Sequence, residues 1–97
     1  MLKWLFRTKN APAGSPAVIL FTRQRCHLCD EAKAVLRRLQ REEPFQFSEI
    51  NIDADADLQA RYNEEVPVVF IHGRKAFKFE IDEKKFLKSL RAGPAQP

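Results

Sequence analysis

The sequence predicts an α/β fold: a four-stranded mixed sheet with helices on both faces. Three observations predict it. Val18–Phe21 is a continuous apolar run, the pattern of a strand buried on both faces of a partly parallel sheet. This run passes directly into a segment with helical periodicity. A later apolar run is joined by a tight turn to a segment in which apolar and charged residues alternate. The resulting order is β-α-β-α-β-β-α, which a layered sheet satisfies with short connections.

The first elements follow from where their apolar residues fall. Strand 1 is followed by a helix whose apolar stripe faces a core, formed by Leu28, Ala32, Val35, Leu36 and Leu39. Pro44 ends this helix. The range 45–52 is predicted to be strand 2. Its alternation changes phase between Phe47 and Ile50, which implies a bulge or entry into a more buried position.

The second half of the chain repeats this logic. Aspartates within Asp53–Asp57 offer N-caps for a short helix. The range 66–71 is strand 3, and His72-Gly73-Arg74-Lys75 forms a tight turn in which glycine supplies a positive φ. Apolar residues alternate with charged ones over 77–81, which predicts a half-exposed strand 4. Asp82 caps a last helix whose inward residues are Phe86, Leu87 and Leu90.

Length and composition restrict the class of protein. The chain has 97 residues, of which 44% are hydrophobic and 31% charged, typical of one globular domain. We expect an N-terminal extension over 1–16, a domain over 17–92 and a flexible tail over 93–97, because both ends are rich in proline and glycine. The two cysteines are near neighbours and form no disulfide framework, which favours a reducing, cytoplasmic location.

Charge and hydropathy argue against other classes. The net charge of +4 arises from basic residues scattered among acidic ones, so no nucleic-acid footprint is indicated, and the basic residues of the first helix are predicted to form a solvated face. No apolar run approaches the roughly 20 residues of a membrane span. The longest apolar stretch near the start, Trp4–Phe6, is too short for a signal peptide.

The most informative motif is Cys26-His27-Leu28-Cys29, placed where strand 1 gives way to a helix. The first turn of a helix has unpaired N–H groups and the positive end of the helix dipole, both of which favour a thiolate. A Cys-x-x-Cys in this context indicates a redox site. Cys26 is therefore the candidate nucleophile and Cys29 the resolving thiol, the alternative being two small buried cysteines without chemistry.

Neighbouring cations are candidates for tuning this site and for binding substrate. Arg23 and Arg25 add a positive field at Cys26. His27 either stabilises the thiolate when protonated or is an exposed residue of the helix start.

Three segments together resemble the thioredoxin superfamily, and within it the glutaredoxin-like proteins, over residues 17 to about 91. The segment Phe21-Thr22-Arg23-Gln24-Arg25 before the Cys-x-x-Cys has the aromatic, hydroxyl and basic residues of glutaredoxins. An acidic helix start at Asp53, followed by Val66-Pro67-Val68, is similar to small bacterial glutaredoxin-like domains. His72-Gly73-Arg74 resembles the hairpin that follows there.

The resemblance implies a thioredoxin-like fold and thiol–disulfide oxidoreductase activity. It implies that Pro67 is the cis-proline that faces the cysteines, leaving the Val66 backbone to pair with an extended substrate; the alternative is an ordinary trans proline at a strand start. The expected partners are a protein or small-molecule disulfide and a dithiol reductant. We expect a monomer with no bound cofactor.

The chain also departs from glutaredoxins. It has His27-Leu28 where many of them have Pro-Tyr, and 78–82 contains no glycine where they have a Gly-Gly step that receives glutathione. Asp82 is the candidate for the acidic residue that glutaredoxins have after this step. We therefore expect glutathione to be a poor partner.

Two other classes of function stay open from the sequence. One is a non-catalytic binding module that docks a partner through the Pro67 edge. The other is a carrier of metal or an iron–sulfur cluster ligated by thiolates, which would need external thiols because no second Cys-x-x-Cys or His-x-x-x-His completes a site. No metal-ligating residues are assigned.

Overall fold

The computed structural model describes residues 14–93, so the predicted extension and tail lie mostly outside the described residues. The strands are β1 (Ala17–Thr22), β2 (Gln46–Asn51), β3 (Val68–Ile71) and β4 (Arg74–Lys78). The helices are α1 (His27–Glu42), α2 (Ala56–Tyr62) and α3 (Glu83–Ala92), with a 3-10 turn over Ile52–Ala54. The strand order is β2-β1-β3-β4; β1 and β2 are parallel, and the other pairs are antiparallel. The predicted mixed four-stranded sheet is confirmed.

A separate hydrophobic cluster lies on each face of the sheet. The larger cluster joins β1 and β3 to α1 and α3, and includes Leu20, Leu36 and Phe86, all with no exposed surface. The smaller cluster lies on the α2 face; its buried members are Phe21, Cys29, Ile52, Val66 and Val68. The sheet is therefore covered by helices on both faces, and the cysteine motif belongs to the smaller cluster.

Side chains at the predicted positions cap the helices. Asp55 accepts hydrogen bonds from the backbone N–H groups of Asp57 and Leu58 at the start of α2. Asp82 accepts one from Lys85 N–H at the start of α3. Each contact satisfies a donor that the helix itself leaves unpaired.

Strand β2 corrects one expectation. Its register with β1 runs without interruption from Ala17–Gln46 to Thr22–Asn51, so the predicted bulge is absent from this pair. The change of phase has another cause: Phe47 packs in the larger cluster and Ile50 against the smaller one, so both faces of β2 carry apolar residues. The irregularity in the sheet lies instead between β3 and β4, at Val69/Phe70.

The ends of β3 and β4 also differ from the prediction. Strand β3 begins at Val68 and not at Val66, because Val66-Pro67 forms the approach to the strand. Strand β4 ends at Lys78, since Phe79 has a φ of 70° and leaves the extended conformation. Phe79 and Ile81 are therefore loop residues, although Ile81 still packs against the larger cluster.

The basic residues on α1 are largely engaged at its surface, as a solvated helix face requires. Lys33 forms an ion pair with Glu49 at 3.0 Å. Arg38 donates to Glu83 at 2.6 Å, and this hydrogen bond raises the pKa of the guanidinium. The Arg37 guanidinium lies 4.7 Å from the centre of the Phe47 ring.

Candidate redox site

Cys26 is the N-cap of α1. Its backbone is extended, and its carbonyl accepts the Asp30 N–H at 3.2 Å, so the helix begins immediately after it. Its Sγ accepts a hydrogen bond from the Cys29 N–H at 3.1 Å. The sulfur thus occupies the place of the side-chain oxygen in an ordinary N-cap, where free N–H groups and the helix dipole favour negative charge.

The two cysteines form a disulfide across the first turn of α1, with Cα atoms 5.1 Å apart. They differ in exposure: Cys29 is 2% exposed, whereas Cys26 is only partly buried. Both pack with the smaller hydrophobic cluster. An incoming reagent therefore meets Cys26 first.

The loop that leads into α1 is fixed by the neighbouring strand connection. The Gln24 N–H donates to Asp53 Oδ2 at 2.9 Å, and Asp53 N–H in turn donates to the Asn51 side chain at 2.8 Å. Arg25 has a φ of 55°, so the chain turns sharply just before Cys26. The sequence predicts only a helix-capping role for Asp53. Its position after β2, which is parallel to β1, could have placed it at the edge where Cys26 lies, because parallel strands end at the same edge.

The three residues that the sequence assigns to tuning and substrate binding lie at the start of α1 or in the loop before it, and all three are exposed. Arg23 and Arg25 lie in the loop before Cys26. The His27 side chain is 84% exposed, and its Nε2 lies 2.9 Å from a carboxylate oxygen of Glu31, one turn further along α1. The imidazole thus interacts along the helix surface with a carboxylate.

Val66 and Pro67 are both buried, and the peptide bond between them is cis. Val66 N–H donates to Tyr62 O at 3.0 Å, which ties the loop to the end of α2. The Pro67 carbonyl accepts the Phe79 N–H at 2.9 Å, which ties it to the end of β4. Because Val66 shares a cluster with Cys29, the structure brings the two sequence-distant halves of the predicted site together.

An aromatic group supports this loop from the α2 side. The ring of Tyr62 stacks on Phe21 with centroids 5.0 Å apart, and Phe70 meets Phe21 edge-on at 5.5 Å. Lys75 pairs with Glu65, and this hydrogen bond lowers the pKa of the Glu65 carboxyl. Tyr62 is thus a packing residue of the smaller cluster.

Two further observations concern the described part of the chain. Within residues 14–93, no group of three or more His, Cys, Asp or Glu side chains is arranged to hold a metal ion. None of the helices in that range is both long and apolar enough to cross a membrane.

The sheet order, together with a Cys-x-x-Cys at the start of α1, is that of the thioredoxin superfamily. Residues 17–91 match the family described as Glutaredoxin-like domain. The chain belongs to this family.

Similar proteins are found among sequences and solved structures. An uncharacterised protein of Mycobacterium tuberculosis is 32% identical over 75 residues, which cover 72% of this chain and 77% of that protein. The solution structure of a protein from Nitrosomonas europaea is similar with a TM-score of 0.69 and 30% identity, covering 79% of this chain and 93% of that one. An X-ray structure of a protein from X. campestris gives 0.61 and 33%, with 79% and 99% covered. Thioredoxin 1 of Thermosipho africanus, at 12% identity and a TM-score of 0.58 over 78% of this chain and 91% of that one, shares the fold.

Proposed function

We propose that this protein is a thiol–disulfide oxidoreductase in which Cys26 and Cys29 form the redox couple. One observation carries the proposal. A partly exposed N-cap cysteine accepts a hydrogen bond from a buried partner cysteine and is bonded to it. This arrangement provides one accessible sulfur, a source of thiolate stabilisation and a second sulfur within reach.

The reaction balances with two electrons. In the reduced protein the Cys26 thiolate attacks a substrate disulfide, forming a Cys26–substrate disulfide and releasing one substrate thiolate. The Cys29 thiol loses its proton and attacks Cys26 Sγ, which forms the Cys26–Cys29 disulfide and releases the second substrate thiolate. The substrate gains two electrons, and an external dithiol returns two to the protein.

The surrounding residues are given binding roles in this proposal. Arg23 and Arg25 contribute positive charge around the approach to Cys26, which favours thiolates over thiols there, and His27 adds to it when protonated. Val66 and Pro67 form the edge against which an extended substrate backbone lies beside the cysteines. A reductase of this kind acts in a reducing compartment such as the cytoplasm.

Reductant-coupled turnover tests the function directly. The protein is assayed with a small disulfide in the presence of a dithiol, beside Cys26→Ser and Cys29→Ser. We expect turnover by the wild type, none by Cys26→Ser, and a trapped mixed disulfide on Cys26 in Cys29→Ser. A wild type that shows no turnover would contradict the proposal. If Cys26→Ser then binds a partner as the wild type does, the result favours a binding module.

The choice of reductant is a separate test. Because 78–82 has no glycine step, we propose that a dithiol or thioredoxin reductase supplies the electrons. Glutathione at millimolar concentration should support little turnover. Saturable turnover with glutathione would contradict this choice while leaving the redox function intact.

A further inference from the structure

The backbone at Phe79 adopts a conformation that bulky residues rarely take. Its φ is 70°, and the Glu80 N–H donates to the Lys78 carbonyl at 2.8 Å across it. A hydrogen bond between residues two apart, with positive φ at the residue between, is a γ-turn of the rare and strained form. Glycine would adopt it without cost, yet the chain has phenylalanine there.

The Phe79 side chain is also unusually accessible. Among residues 14–93, two large hydrophobic side chains stand out as exposed: Phe79 at 43% and Leu28 at 38%. Leu28 lies between the two cysteines. The Lys78 ammonium lies 5.5 Å from the centre of the Phe79 ring, so the ring is flanked by a cation. A single exposed apolar residue is ordinary, but these two are both next to parts of the redox site.

A backbone hydrogen bond connects Phe79 to the loop beside the cysteines. The Phe79 N–H donates to the Pro67 carbonyl at 2.9 Å, which fixes its backbone to the loop containing Val66. Val66 packs in the cluster that contains Cys29 and against which Cys26 lies. Phe79 is therefore hydrogen-bonded to Pro67, and the preceding residue, Val66, packs in the same cluster as the redox pair.

We propose that Phe79 is a specificity-determining residue that receives an aliphatic or aromatic side chain next to the disulfide cysteine of a peptide or protein substrate. The inference rests on the proposed redox function and names its substrate class. Covering the exposed part of the ring with an apolar side chain removes both surfaces from water, which favours such substrates over polar ones. The γ-turn and the hydrogen bond to Pro67 fix the backbone that carries the ring, so little backbone freedom is lost on binding.

Competition between two peptide substrates tests this inference. Two disulfide-linked peptides are used that differ only in the residue next to cysteine, leucine in one and serine in the other, with excess dithiol as reductant. We expect the wild-type kcat/KM to be about 10-fold higher for the leucine peptide, on the scale of one partly buried apolar side chain. Phe79→Gly should reduce this preference to near unity, and Phe79→Tyr should keep it.

Two further variants test whether a change in substrate preference arises from altered folding or from altered backbone conformation. Phe79→Asn supplies a second protein without an apolar side chain at this position, because asparagine tolerates positive φ. His72→Gly is the matched backbone control: His72 has a φ of 54° but donates its N–H to Ala17 O, at the opposite end of β1 from the cysteines. We expect its preference for the leucine peptide to equal that of the wild type.

The outcomes separate the two proposals. A wild type that reduces both peptides equally well, or a Phe79→Gly and Phe79→Asn pair that keeps the preference, overturns the role of Phe79 alone. If His72→Gly loses the preference to the same extent, the effect arises from the backbone, and the role of Phe79 is overturned as well. A wild type that reduces neither peptide nor a small disulfide overturns the redox function and this inference with it.

Discussion

The reduced protein should react with iodoacetamide at Cys26 well before Cys29. The N-terminal helix dipole favours a thiolate at Cys26 by about 0.3–1 kcal/mol. A hydrogen bond from the Cys29 N–H to a charged sulfur adds about 1.5 kcal/mol, at the lower end for such bonds. Together these raise the equilibrium constant for ionisation of the thiol roughly 20- to 70-fold, which at pH 7 raises the thiolate population from about 3% to about 40–70%, or roughly 13- to 22-fold.

The rate of alkylation increases less than the thiolate population does. A more stable thiolate is a weaker nucleophile, by roughly 4- to 7-fold for this change in the equilibrium constant, so the net gain in rate is about 3-fold. Burial adds to the difference, because Cys29 is 2% exposed and must be uncovered before it reacts. We therefore expect at least ~10-fold faster labelling of Cys26.

The assay uses the fully reduced protein at pH 7 with substoichiometric iodoacetamide, a quenched time course and peptide mapping by mass spectrometry. The same measurement in denaturing urea is the control, since both thiols are then solvated and should react at similar rates. Equal labelling in the native protein, or faster labelling of Cys29, would refute the assignment of nucleophilic and resolving roles.

Three further predictions concern the structure around the site and the core. Phe86→Ala should lower the free energy of unfolding in urea by about 3–5 kcal/mol, because Phe86 has no exposed surface, and Phe86→Leu should lower it less. Asp53→Ala should speed hydrogen exchange of the Gln24 amide, which loses its acceptor, whereas Asp53→Asn should largely preserve protection. The hydrogen bond from Arg91 lowers the pKa of the Glu43 carboxyl in the folded protein, so its contribution is complete above the ordinary glutamate pKa of 4.5 and is lost as the pH falls below it. Glu43→Gln should therefore flatten the acid side of the Tm profile, and a slope unchanged below pH 4.5 would contradict this.

The sheet, the helices and the pairing of Cys26 with Cys29 could be predicted because each leaves a periodic or local signal. The apolar run before Cys26 and the stripe after it specify a strand and a helix without reference to the rest of the chain. Local capping also follows from the residue type, as at Asp55 and Asp82.

Features that depend on two distant segments could not be predicted in this way. The change of phase between Phe47 and Ile50 leaves a bulge and entry into a more buried position both open, because the sequence does not show that both faces of β2 meet a core. The hydrogen bond from Gln24 to Asp53 joins residues 29 apart, and no local pattern contains it. In the sequence, Phe79 continues the alternation that predicts strand 4. In the structure, the strand ends at Lys78 because Phe79 has a positive φ.

Two of the three residues that break local backbone rules lie beside Cys26 or are bonded to the loop that contains Pro67. Among the described residues, three besides glycine have positive φ: Arg25, His72 and Phe79. His72 occupies a two-residue hairpin turn with Gly73, where the turn itself requires that conformation. Arg25 immediately precedes Cys26, and Phe79 is bonded to Pro67, so neither is explained by a hairpin. Sparsely populated conformations persist only where the surroundings fix them, and they cluster at functional sites. These backbone conformations thus support, independently of the cysteine motif, the proposal that this edge of the sheet is the functional one.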